Sequence, residues 1–79
     1  MEELIKQIQS DYLSLYNLEF VRKKMGPIDE YAMQRKNLEL NLKKHLREWY
    51  KRHEEDPDLG RIAEIVKTQN IKIYKKKDL

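Results

Sequence analysis

Seventy-nine residues, with equal hydrophobic and charged shares of 39% each, make one small domain with little apolar material to bury. The absence of cysteine excludes disulfide staples, thiolate metal sites and a cysteine nucleophile, so oligomerisation is the expected remedy for so small a core. A net charge of +3, from 17 basic and 14 acidic residues, is too balanced for an obligate polyanion binder.

That charge is nevertheless uneven. Val21 to His53 holds ten Lys/Arg against four Asp/Glu, whereas Glu54 to Glu64 holds five acids and one Arg, and the basic excess returns in the tail. No apolar run approaches the ~20 residues of a membrane span. The start Met1-Glu2-Glu3 is acidic where a leader would be basic, and the final Lys75-Lys76-Lys77-Asp78-Leu79 is not a retrieval signal, so we expect a cytoplasmic protein and no membrane partner.

The first predicted element is a helix from about Glu2 to Met25. Leu4, Ile8, Tyr12 and Leu15 form one stripe with Ile5 at its edge, and Leu13, Tyr16 and Phe20 form a second apolar line on another side. A helix with two apolar sides needs two neighbours, so the second line is the expected homodimer interface. Met25-Gly26-Pro27 then supplies a stop and a restart: Gly accepts a left-handed C-terminal conformation and Pro is tolerated in the next first turn, ahead of Asp29 and Glu30.

The longest amphipathic stretch runs from Ile28 to His53. At 100° per residue, Ile28, Tyr31, Leu38, Leu42, Leu46 and Trp49 fall within a wedge of roughly 80°, with Arg35 and His53 inside it. Lys36, Lys43, Lys44, Arg47 and Lys51 form a basic face that also carries Met33 and Leu40, while Gln34, Asn37, Asn41 and Glu48 make a neutral side. A short turn makes the two helices antiparallel. Residues at similar distances from the turn should then meet: Leu15 with Leu38, Tyr12 with Leu42, Ile8 with Leu46, and Leu4 or Ile5 with Trp49. Glu19 and Arg35, each the charged interruption in its own stripe, should pair in the same register, with Arg22 near Tyr31.

Beyond His53, the acids Glu54, Glu55, Asp56 and Asp58 around Pro57 end the helix. Asp58 is placed to cap a short third helix from about Leu59 to Thr68, which Gly60 should weaken. Ile71-Lys72-Ile73-Tyr74-Lys75 alternates as a β-strand does. Such a strand pairs with a symmetry mate, adds to a partner's sheet, or remains a disordered basic tail.

Catalytic constellations are missing. His45 and His53 lie about two turns apart on one helix, Glu39 and Glu48 have no carboxylate at i+3 or i+4, Ser10 and Ser14 lack a nearby His, and the two glycines punctuate helices. We therefore expect no enzyme activity, no metal and no cofactor. The basic face reads either as a solvated surface or as a footprint for phosphate or an acidic protein. Tyr50 beside Arg47, Lys51 and Arg52, and Tyr74 between Lys72 and Lys75 ahead of Lys76 and Lys77, could stack a base or anchor a protein contact, whereas Trp49 reads as core.

The expected fold is mainly α. A long antiparallel helical hairpin spans residues 1–55 with its turn at 25–28, and a short helix and β-like tail follow over 56–79 in the same domain; dimerisation through Leu13, Tyr16 and Phe20 would build a four-helix core. The expected function is a small non-enzymatic protein-binding module with a regulatory, inhibitory or scaffolding role. Its size, charge and lack of chemistry resemble, in a general way and on no shared motif, accessory proteins of phages and other mobile elements. The alternative is a nucleic-acid-binding protein that uses the basic face of the second helix and the Lys-rich tail.

Overall fold

The computed structural model describes residues 2–79; Met1 and the side chain of Glu2, part of the acidic start noted above, lie outside that description. Helix α1 spans Glu2–Met25, α2 spans Tyr31–Arg52 and α3 spans Arg61–Lys67, and a 3-10 turn covers Lys76–Asp78. The two long helices pack against each other. Their cross-links run in opposite senses, Asp11 with His45 and Glu19 with Arg35, so the pair is antiparallel and in the register expected from the turn.

The turn forms by the glycine mechanism. Gly26 sits at φ 80° and its N–H donates to the Arg22 carbonyl at 2.9 Å, which closes the last turn of α1. The restart differs from expectation: α2 begins at Tyr31 rather than Ile28, because Glu30 adopts a left-handed φ of 60° through which a right-handed ladder cannot pass. Pro27, Asp29 and Glu30 therefore belong to the connection, and α2 has no acid in its first turn.

Ile8, Tyr12 and Leu15 of α1 and Leu42, Leu46 and Trp49 of α2 form the core, and Leu59, Val66 and Ile71 close it from a third side. Each large apolar side chain so buried contributes about 1.5–3 kcal/mol relative to exposure. At one end the core gives way to polar contacts: buried Glu19 accepts from Arg35 Nη1 at 2.5 Å and from the Tyr31 hydroxyl, while the Arg22 guanidinium lies 4.6 Å from the Tyr31 ring centre.

Two expectations about the C-terminal third change. Asp58 does not cap the third helix; its Oδ1 accepts from the Gly60 N–H at 3.0 Å in a local turn, and Leu59 is a buried loop anchor rather than a helical residue. Gly60 does not weaken α3 but starts it, at φ 57° and ψ −136°, a conformation that side-chain-bearing residues avoid. An added Cβ would meet nothing within 4 Å, so the cost of substitution is in the backbone alone. Gly60→Ala should lower stability by about 1–2 kcal/mol in urea unfolding; an unchanged midpoint would show that the backbone relaxes freely there.

The tail is the second change. No strand forms among the described residues; residues 71–75 are extended but fold back on the helices of their own chain. The Ile71 N–H donates to the Val66 carbonyl at 3.2 Å and the Tyr74 N–H to the Tyr12 hydroxyl at 2.9 Å, while Ile73 and Leu79 pack on the core. Alternation of Ile71 and Ile73 thus reflects cover over a helical groove, not a ladder. Burial pushes the Tyr12 hydroxyl up to about 12, so this anchor stays a neutral phenol below pH 10 and is weakened only as pH rises through about 12.

Candidate interaction surface

The outer side of α2 points away from the core. Met33 and Leu40 remain 61% and 54% exposed there, among several large apolar side chains left at the surface. Helical spacing puts Lys36 at i−4, Lys43 at i+3 and Lys44 at i+4 from Leu40, with Arg47 two turns along. Leu40 is therefore an apolar spot ringed by cations.

Elsewhere on the chain Arg22, Arg35, Lys51, Arg52, Lys72 and Lys75 have acidic partners, whereas Lys6, Lys23, Lys24, Arg61, Lys67, Lys76 and Lys77 have none among the described residues. Arg35 holds Glu39 at 2.7 Å and Glu19 at 2.5 Å, and these carboxylates, Glu39 first, raise its pKa further. Lys51 and Arg52 approach Glu48 at 4.0 and 3.9 Å, Lys75 approaches Asp56 at 3.7 Å, and Lys72 approaches Asp78 at 3.4 Å. Lys43 sits 5.2 Å from the Tyr74 ring centre. Among the described residues Lys36, Lys44 and Arg47 have no acidic partner. Moreover, Lys43, Arg47 and Lys51 follow at i, i+4 and i+8, a like-charge row that costs the helix about 0.2–0.5 kcal/mol per pair.

That cost yields a directional prediction. Arg47→Glu turns two repulsions into two attractions and should raise stability by up to about 1 kcal/mol, read as a higher urea midpoint. A lower midpoint would mean that Arg47 supports the fold in a way its exposure hides.

Beside Leu40 the surface dips into a shallow cleft lined by Tyr31, Ala32, Arg35, Lys36, Glu39 and Lys43. Its floor is apolar and its rim is charged. Tyr74 borders this region: its hydroxyl donates to Glu39 at 3.4 Å, and burial first, then the Glu39 charge, raises its pKa. Tyr50 is tied down differently, donating to Asp56 at 2.5 Å at the start of the acidic loop; burial and then Asp56 raise its pKa as well. Both tyrosines thus hold the loop and tail in place and present less free ring than the sequence suggests. Lys76 and Lys77 lie exposed in the 3-10 turn.

On α1, Leu13 and Phe20 stay 36% and 40% exposed, while Tyr16 is half-buried against the core and stacks on Phe20 at 6.0 Å between ring centres. Helix α3 also packs on α1, and of this second apolar line only Tyr16 is packed against the core.

Sequence reasoning missed the His45 Nδ1 to Asp11 contact of 2.5 Å between the long helices and the Trp49 Nε1 donation to the Glu55 carbonyl at 2.9 Å. The first was findable, since Asp11 and His45 are nearly equidistant from the turn. The second depends on a loop path that no periodicity encodes.

Among the described residues no cluster of three His, Asp or Glu side chains could hold a metal, and no helix is long and apolar enough to cross a membrane. No family model, curated protein or solved structure matches the chain.

Proposed function

We propose that this chain is a small cytosolic protein-binding module that docks a partner protein on the outer face of α2 and so regulates, inhibits or scaffolds a larger assembly. The observation that carries the reading is Leu40, half-exposed at the centre of uncompensated cations. An apolar anchor inside a charged rim is the arrangement that concentrates binding energy in protein interfaces. The like-charge row weakens the free helix, and a bound partner supplying carboxylates would offset it.

A second reading has its own observation: Lys36, Lys44 and Arg47 are free to meet phosphates. Fluorescence anisotropy of random duplex DNA and single-stranded RNA at roughly 50 and 200 mM salt separates the two. Protein docking on this face stands if no micromolar nucleic-acid binding is seen at the lower salt. Micromolar binding that collapses at the higher salt and is lost in Lys43→Glu/Arg47→Glu would instead assign the face to phosphate.

The exposed ridge of Leu13 and Phe20, with Tyr16 beneath it, is proposed as a self-association surface that completes a four-helix core. Sedimentation equilibrium should show a dimer that Leu13→Asp/Phe20→Asp converts to monomer. A monomeric wild-type chain would remove this part of the proposal.

A further inference from the structure

We infer that the segment docked on α2 is an acidic amphipathic helix of about five turns, an inference that rests on the reading of this face as a protein-binding surface. The length follows from the face: Met33 to Lys51 covers about 27 Å along the axis. The sign follows from Lys36, Lys44 and Arg47, which lack acidic partners among the described residues, and from Lys43, which meets only the Tyr74 ring.

The apolar component follows from Met33 and Leu40, seven residues and two turns apart, about 10.5 Å along the axis. A partner helix with apolar residues at the same two-turn spacing meets both, one of them seated in the cleft beside Ala32 and Leu40. The backbone of α2 is committed to its own ladder, so this face offers no edge for an added strand, and recognition falls to side chains.

A second copy of this chain is a poor occupant. Two-fold pairing of the face on itself sets cations against cations. Docking the acidic loop around Glu54 and Glu55 on another copy's α2 would be head-to-tail and propagate into open chains. An extended polyanion would satisfy the charges but leave Met33 and Leu40 in water.

The test is a displayed library of helix-forming peptides of about 18 residues, selected on the full chain, with the bound site mapped by 15N–1H amide shifts. The expected winners are net acidic with apolar residues at i, i+3 or i+4 and i+7, and shift amides around residues 33–47. Their affinity should fall at least tenfold both in Lys36→Glu/Lys44→Glu/Arg47→Glu and in Leu40→Ser, while circular dichroism of each variant remains helical.

Neutral or basic winners that shift the same amides would overturn the acidic inference and leave the protein-binding reading standing. Acidic winners that bind equally well when scrambled would overturn the helix. No winner, alongside salt-sensitive DNA binding, would overturn both. Concentration-dependent growth abolished by Glu54→Lys/Glu55→Lys would identify a second copy as the occupant and overturn the inference.

Discussion

Leu46→Ala should lower the free energy of unfolding by about 2–5 kcal/mol, seen as a large fall in the urea midpoint or as loss of a cooperative transition. Leu46 is fully buried between Leu42 and Trp49 on α2, in the cluster that also holds Ile8 of α1, Val66 and Ile71. Truncation removes transfer energy and leaves a cavity that helices fixed by contacts on both sides cannot close. For a small domain the total stability is only several kcal/mol, so this one change is expected to leave much of the population unfolded at 37 °C. A loss below about 1 kcal/mol would mean that the cluster is loosely packed and collapses around the gap.

Glu19→Ala is the second large effect, about 2–3 kcal/mol. Glu19 is only 5% exposed and is the acceptor shared by Arg35 and the Tyr31 hydroxyl. Removing it leaves a guanidinium and a phenol facing a void. Full burial of an unpaired charge would cost 3–5 kcal/mol, but Arg35 is partly solvated and retains Glu39, which reduces the loss. A double-mutant cycle with Arg35→Ala isolates the pair, and a coupling near zero would show that Glu19 acts through packing alone.

The hairpin was legible because its information is periodic. Two apolar stripes interrupted at Glu19 and Arg35, at similar distances from the turn, fix both orientation and register, and the structure joins those two residues directly. Helix boundaries were less legible. Glu30 takes a left-handed conformation that its residue type does not advertise, and Gly60 was read by average propensity when its actual role is a backbone angle. The tail misled for a related reason. Alternation in Ile71 to Lys75 records which side chains are covered and not what covers them, and a groove between helices serves as well as a neighbouring strand.

The interaction face divides in the same way. Lys36, Lys43, Lys44, Arg47 and Lys51 share a face by helical spacing alone, and the exposure of Met33 and Leu40 follows from their lying opposite the core stripe. Charge compensation was legible within and between the long helices, where Glu19 meets Arg35 and Glu39 lies at i+4 from it, but not in the loop and tail. There it depends on where Asp56 and Asp78 sit in three dimensions, and their positions meet Lys75 and Lys72 while leaving Lys36, Lys44 and Arg47 without acids. Tyr50 and Tyr74 likewise changed from free aromatics to structural ties once the loop and tail were placed.

The most direct test of a protein-docking face on α2 is site-specific photo-crosslinking inside the source cell, with a photoreactive residue at position 40 and, as a control, at position 34 on the neutral side. A discrete protein adduct at position 40, absent at position 34 and lost when Lys44 and Arg47 are changed to Glu, is the expected result. Adducts equal at both positions, or nuclease-sensitive adducts at position 40, would contradict it.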